Sequence, residues 1–325
     1  MKKIVSLLLA LVLLAALPLL TSCKSYDAEL PINVWTLNGT TGFGMAQLMD
    51  ADAKGEAALN YEFRVEANAA TVQSALINGD ADIAALPTNA ASVLYNKTGG
   101  EIVLLALNTK GVLYLMANTA NTEAPASLAD LAGKTVYVPA QNPTFITKAL
   151  IDKAAVANVT LDNTSYAEPA ALRDALASGL VDLAVLPEPM VTIARSKAGE
   201  GVTLTTALDI TEEWDKYFDE GSLVQGCIGA RREFVEQHPD DVAKFLEEYE
   251  ASINFAVENA ADASQMIVAA EIFAQAPVAQ KALPNCNLCY MDGAEMKAAM
   301  EAFLAAMPLQ SIGGALPEAD FYYGA

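Results

Sequence analysis

Apolar residues recur along this chain in short blocks separated by polar, glycine-rich breaks. The blocks "INVWTL" (32–37), "NYEFRVE" (60–66), "ADIAALP" (81–87) and "EIVLLALN" (101–108) are rich in branched or aromatic residues and predict strands. Between them, "GFGMAQLMDADAKG" (42–55) and "NAATVQSALING" (68–79) predict helices. The second half repeats the scheme. "VLYLMAN" (112–118), "KTVYVPA" (134–140), "VTLDNTSY" (159–166), "VDLAVLP" (181–187) and "SLVQGCIGA" (222–230) predict strands, and "PTFITKALIDKAAV" (143–156) and "EPAALRDALASG" (168–179) predict helices. Strands alternating with helices mean βαβ units and parallel sheets with covered faces. After Pro239, the positions Val242, Phe245, Leu246, Tyr249, Ile253 and Ala256 fall on one helical face and predict packing on a core.

One phrase is written twice. "ALINGDADIAALPTN" (75–89) and "ALASGLVDLAVLPEP" (175–189) share Gly79/Gly179, Asp82/Asp182 and Pro87/Pro187 at identical spacing. In each copy the glycine is suited to a left-handed helix cap. The aspartate falls in the turn that follows, and the proline stops a buried strand because it has no amide to continue a ladder. Two sets of strands and helices, each with one copy, predict two similar α/β lobes.

Residues after such strands sit at the carboxyl edge of a parallel sheet, where open α/β folds bind ligands. That rule selects Asn38, Thr40 and Thr41 after the first strand, and Thr88 and Asn89 after Pro87. It also selects Asn108 and Thr109 after "EIVLLAL", Gln141, Asn142 and Thr144 after "KTVYVPA", and Glu188 after Pro187. Singly, each threonine or asparagine reads as a helix cap. As a group they read as a lining of hydroxyls, amides, helix N-termini and one carboxylate, drawn from both lobes.

The start of the chain sets the compartment. Residues 1–22 combine two lysines, an apolar run and small residues before Cys23, which is the pattern of an export signal. "LLTSC" (19–23) resembles the lipobox of bacterial lipoproteins, whose cysteine becomes the lipidated N-terminus. No later stretch approaches the roughly 20 apolar residues of a spanning helix. The 325-residue chain has a formal net charge of −21, and loss of the leader removes Lys2 and Lys3. Such a surface argues against nucleic acid or anionic lipid as partner. Beyond Cys23 only Cys227, Cys286 and Cys289 remain, and "CNLC" (286–289) reads as one local disulfide or as buried thiols. With one histidine in the chain, a zinc site is not expected.

Four phrases together resemble bacterial solute-binding lipoproteins of ABC importers. They are "SLADLAGKTVYV" (127–138), "ALASGLVDLAVLPEPM" (175–190), "RREFVEQHPDDVAKFLEEY" (231–249) and "SIGGALPEADFYY" (311–323). Within that class the chain is most similar to the group that binds nitrate, sulfonates, taurine and thiamine pyrimidines. The resemblance implies a type II periplasmic-binding-protein clamshell, each lobe a mostly parallel sheet flanked by helices. Lobe 1 would comprise 28–110 plus 233–325 and lobe 2 would comprise 111–232, with crossovers near 109–113 and 228–235. It also implies an extracytoplasmic monomer, anchored to the bacterial cell membrane by lipid on Cys23, that needs no cofactor. A small-molecule solute would be captured between the lobes and passed to permease and ATPase subunits on separate chains.

The solute class stays open at this stage. Lys110, beside the first crossover, is the one cation in the expected strand-end loops, so an anion such as sulfonate or nitrate would rest on helix N-termini and neutral donors. Glu188 suits a cation or an amino-substituted heterocycle, and equally suits a structural pairing. Where the related branch has an aromatic residue before Glu-Pro, this chain has Pro187; Tyr166 and Trp35 are the alternatives for stacking. Catalysis is not expected. His238, the single histidine, lies in a polar "EQHPDD" helix start that reads as exposed surface, and "GKT" (133–135) lacks the upstream glycine of a phosphate loop. A related pyrimidine synthase uses a cysteine-rich motif with a histidine, against which this chain offers Cys286 and Cys289. A ligand-sensing domain for a separate signalling partner is the other reading.

Overall fold

The apolar blocks pair into two sheets, and the polar breaks become the turns between them. The computed structural model describes residues 30–325, so the leader and Cys23 lie outside the described residues. The described strands are β1 (Ile32–Leu37), β2 (Tyr61–Glu66), β3 (Ile83–Pro87), β4 (Ile102–Lys110), β5 (Leu113–Asn118), β6 (Thr135–Tyr137), β7 (Thr160–Asp162), β8 (Leu183–Pro187), β9 (Leu204–Asp209), β10 (Val224–Arg231) and β11 (Leu288–Met291). The six-stranded sheet runs β11-β4-β10-β3-β1-β2 and the five-stranded sheet runs β7-β6-β8-β5-β9. β1, β2 and β3 are parallel, as are β6, β7 and β8, and helices flank both sheets. The mixed α/β, mostly parallel architecture is the one expected.

Two orders align once written in the same direction: β2-β1-β3-β10-β4 and β7-β6-β8-β5-β9. In each, the fourth strand is antiparallel and lies between the third and the fifth. β5 follows β4 across residues 111–112, and β10 follows the β9 region, so each sheet receives its antiparallel strand from the other. Val224–Arg231 was expected in lobe 2, with the return near 228–235. It is instead hydrogen-bonded between β3 and β4, and the chain is back in the six-stranded sheet at Val224. Burial on both faces makes β10 a continuous apolar run, which identifies a strand without saying which sheet it joins.

The repeated phrase builds the same turn twice. Gly79 (φ 79°) and Gly179 (φ 71°) adopt the left-handed conformation, and Asp80 and Leu180 donate their N–H to Ala75 O and Ala175 O, each at 2.9 Å. Asp82 O then accepts from Arg231 N at 3.0 Å, and Asp182 O accepts from Asn118 N at 2.8 Å, in each case at the far end of the incoming antiparallel strand. The side chains reinforce the pairing. The buried Asp82 carboxylate accepts from Arg231 Nη2 at 2.7 Å and from Asn33 N at 2.9 Å. Asp182 accepts from Asn118 Nδ2 at 3.3 Å and Asn121 Nδ2 at 3.0 Å.

Other elements shrink for local reasons. The expected strand 159–166 stops at Asp162, because its carboxylate accepts from Thr164 N at 3.0 Å and Ser165 N at 2.9 Å and folds the chain back. β9 and β11 were not predicted; β11 is four residues, too short for a period to show. The helix Pro239–Glu258 buries all six of the positions expected on its core face. Residues 31–325 pack as one unit, with a core continuous from Leu107 and Phe303 to Leu115 and Trp214. Trp214 lies 4.0 Å from Phe218, stacked, and donates its indole N–H to Ser222 at 2.9 Å, beside the return to β10.

The two aspartates should differ in cost. Asp82→Ala takes the buried carboxylate from the Arg231 guanidinium, which keeps Glu233 and the Ala81 carbonyl, and should lose about 3 kcal/mol. Asp182→Ala takes an acceptor from neutral amide donors only and should lose about 1 kcal/mol. Urea unfolding of both variants at pH 7 checks this order.

Candidate functional site

The carboxyl ends of β1, β4 and β8 meet where the two sheets face one another. After β1 the chain turns through Gly39 (φ 85°) into the short helix Thr40–Phe43. This turn is held tightly against its strand, since a Cβ on Gly42 would lie 2.1 Å from Leu37 O. Thr40 is thereby presented to the other sheet. Its hydroxyl donates to Glu188 O at 2.9 Å and lies 3.6 Å from Cys286 Sγ.

At the end of β4, Asn108 and Thr109 are buried and bonded to each other, Thr109 Oγ1 donating to Asn108 Oδ1 at 2.9 Å. Asn108 Nδ2 donates to Tyr249 Oη at 2.9 Å and to Thr41 O at 3.3 Å. Tyr249 is fully buried and stacked on Phe245, and burial pushes its hydroxyl well above the usual tyrosine range. The amide fits because β10 passes it with Gly226, where a Cβ would come within 2.3 Å of Asn108 Oδ1.

Glu188 follows β8 and is 3 % exposed. Its carboxylate accepts from Thr192 N at 3.1 Å and Thr192 Oγ1 at 3.0 Å, at the start of the helix Met190–Ser196. Burial raises its pKa; the Thr192 bonds and the charge of Arg195 oppose this without cancelling it. Tyr114, near the start of β5, donates to Asn285 O at 2.8 Å and so joins the five-stranded sheet to the segment before β11. Burial, followed by the charges of Asp209 and Glu188, holds the Tyr114 hydroxyl above its usual range.

The structure thus brings Thr40, Thr41, Asn108, Thr109 and Glu188 into one group. It adds Tyr114, Tyr249, Asn285 and Cys286, which the sequence reading missed. "CNLC" and Tyr249 were visible as motif and core position, but only the fold shows that they meet Thr40 and Asn108. Other expected residues are used elsewhere. Thr88 Oγ1 donates to Val224 O at 2.8 Å, Asn89 Nδ2 to Ser311 O at 3.3 Å, and Thr144 Oγ1 to Pro139 O at 2.7 Å. Asn38 is exposed and its N–H donates to Glu66 O. Gln141 (φ 67°) precedes the helix Asn142–Lys153, where Asn142 Oδ1 is buried without a hydrogen-bond partner. Tyr166 packs edge-on to Tyr137 at 5.9 Å, and Trp35 lies in the core beneath Arg64.

The electrostatics of the group are simple. None of its hydrogen bonds among the described residues comes from lysine or arginine, and its one carboxylate is Glu188. Lys110 lines a separate 500 Å³ cavity with Asp219, Glu220 and Glu295. Cys227, Cys286 and Cys289 are free thiols, which decides between the two readings of "CNLC". Burial pushes the Cys286 thiol up to about 12 and Cys289 up to about 11, so both are protonated at neutral pH. Among the described residues no cluster of three or more His, Cys, Asp or Glu is arranged to hold a metal ion. His238 is half-buried rather than exposed, stacked on Phe234 at 5.0 Å with Nδ1 3.1 Å from Asp241, because it caps the start of the helix Pro239–Glu258.

Comparison with known proteins gives the same frame. No curated protein sequence matches the chain. An ABC transporter protein from Parabacteroides distasonis superposes with a TM-score of 0.76 at 25 % identity, over 91 % of this chain and 99 % of that one. The periplasmic aliphatic sulphonate binding protein SsuA of Escherichia coli gives 0.65 at 15 % identity, over 85 % of each chain. The periplasmic nitrate-binding protein NrtA of Synechocystis gives 0.53 at 15 % identity, over 73 % of this chain and 65 % of that one. These likenesses identify a periplasmic-binding-protein fold, and the family model described as NMT1/THI5 like matches residues 46–263, from the helix Ala46–Ala53 to the helix Ala260–Ala269. On that match over more than half its length, the chain belongs to the NMT1/THI5-like family.

Proposed function

We propose that this protein is the extracytoplasmic, lipid-anchored solute-binding component of an ABC importer. It would capture a small amino-bearing organic solute between its sheets and pass it to a permease on a separate chain. One observation carries the reading: the carboxyl edges of the two sheets converge on a buried carboxylate, Glu188, whose main chain is gripped by Thr40 from the opposite sheet. In a fold shared with solute-binding proteins, that convergence is the place for a ligand to bridge two halves.

The charge of the group supports an amine or amino-substituted heterocycle over an anion. An anionic solute here would face Glu188 with no lysine or arginine hydrogen-bonded to the group, at a cost of several kcal/mol. A cation or an N–H donor would instead gain a partner whose ionised form is otherwise desolvated. Capture then follows from differential binding. A solute touching both edges binds the closed arrangement better than any open one and shifts the population toward it. In the closed arrangement the helix Ala276–Ala282 packs against Met190–Ser196, giving the permease a surface made by both sheets.

A thermal-shift screen of the chain from Lys24 tests this reading, with aminopyrimidines, thiamine, polyamines, taurine, alkanesulfonates and nitrate in the panel. A solute at 100 times its Kd adds about 2.7 kcal/mol, a rise of several degrees in the midpoint. The expected result is a shift with an amino-bearing compound that Glu188→Gln removes. A shift with nitrate or alkanesulfonates alone would make helix N-termini the ligand contacts and overturn the amine assignment. No shift with any compound would count against capture itself.

Glu188 also makes a pH prediction. Its pKa is raised in the fold, so its contribution to stability is greatest below the ordinary glutamate range and is lost as pH rises through the raised value. Between pH 4 and pH 7.5 the stability of Glu188→Gln relative to the parent should therefore improve as pH rises from the ordinary glutamate range through the raised value, and then level off. Thermal midpoints of both proteins across that range give the comparison.

A further inference from the structure

The three residues Asn285, Cys286 and Asn287 each reach the junction between the sheets. Asn287 adopts φ 45°, which asparagine tolerates, and from there its O accepts from Lys110 N at 3.0 Å. Its side-chain amide donates to Gly111 O at 2.5 Å, in the crossover between β4 and β5. Cys286, fully buried, lies with Sγ 3.6 Å from Thr40 Oγ1, the hydroxyl that bonds Glu188 O. Asn285 O accepts the Tyr114 hydroxyl from the five-stranded sheet.

We infer that Asn285–Asn287 is a clasp across the hinge, with Tyr114, Thr40 and Asn287 as positioning residues for closure and Cys286 sealed beneath it. The crossover itself is tightly filled: a Cβ on Gly111 would lie 2.2 Å from Thr211 Oγ1 and 2.7 Å from Leu223. Rotation about that point leaves the Asn287–Gly111 bond near the axis unbroken, and that bond anchors the segment that presents Asn285 O to Tyr114, so its loss loosens the cross-sheet bond. The Tyr114–Asn285 and Thr40–Glu188 bonds join opposite sheets and have to break when the edges part. The Thr40–Glu188 bond is buried and the Tyr114–Asn285 bond partly so, and each adds to the preference for the closed form. Opening also uncovers Cys286, whereas Cys227, inside β10 with its thiol 3.4 Å from Leu86 O, stays covered unless the sheet itself unfolds. The two thiols thus report separate events.

The purpose of the clasp rests on the capture reading, but its test needs no solute, so the two fail separately. Full-length protein purified in detergent is treated with a maleimide at pH 8.5, and labelling of Cys286 and Cys227 is followed by peptide mass mapping. Tyr114→Phe keeps the ring and deletes the cross-sheet bond; it should label at Cys286 roughly five- to tenfold faster, with Cys227 unchanged. Asn287→Gly keeps the backbone conformation and removes the amide, and should act in the same direction. An unchanged Cys286 rate in both variants would overturn the clasp. So would a parallel rise at Cys286 and Cys227, which would mean general unfolding. Should Tyr114→Phe prove too unstable to purify, Asn287→Gly decides alone.

Discussion

Each sheet of this protein is completed by a strand that arrives from the other. β5 enters the five-stranded sheet directly from β4, and β10 returns antiparallel between β3 and β4. This exchange fixes almost everything near the site. Asn108 can lie flat because β10 presents Gly226 to it, and Glu188 N donates to Val112 O because β5 begins there. The Asp82–Arg231 ion pair locks the far end of β10 in register against β3. A slip of one residue would turn every side chain of β10 over and carry Cys227 to the opposite face of the sheet.

The exchange also explains how a polar group survives at the meeting of the sheets. Buried polar atoms cost stability unless each finds a partner. Here the partners come from both sheets: Asn108 bonds to Thr109, Tyr249 and the Thr41 carbonyl, while Glu188 uses both carboxylate oxygens on Thr192 and its main-chain oxygen on Thr40. The apolar core runs without a break from one sheet to the other through Trp214 and Phe303, close to the crossovers. The hinge is therefore supported by packing, and the edges away from it by individual hydrogen bonds. A molecule built this way has few stable intermediate positions, because packed cores switch between arrangements more readily than they deform.

Much of this was legible in the sequence, and the illegible parts have a common cause. The strand blocks, the helix Pro239–Glu258 and the left-handed glycines were readable because each depends on local period or backbone preference. The membership of β10 was not, because "SLVQGCIGA" has the same apolar character whichever sheet receives it. The carboxyl-edge rule found Thr40, Asn108, Thr109 and Glu188, since strand direction decides which residues stand on that edge. Tyr114 was missed because it stands at the start of its strand. It reaches the site only because β5 runs antiparallel to β8. Asn285 and Cys286 were missed because their segment pairs with β4 across a sequence separation that no periodicity spans.

The repeated phrase acquires a second meaning from the same topology. The residue after each proline grips the strand that crosses the hinge: Thr88 Oγ1 donates to Val224 O at 2.8 Å, and Glu188 N donates to Val112 O at 3.0 Å. In the first copy the side chain makes that bond and is consumed by it. In the second the main chain makes it, which leaves a carboxylate free to turn toward Thr192 and the meeting edges. Both copies therefore tie the end of their strand to a segment that crosses between the sheets, and only the second leaves its side chain to the meeting edges. The difference between Thr88 and Glu188 accounts for a carboxylate on one side of the crossovers alone, because the longer acidic side chain stands where the backbone already makes the structural bond.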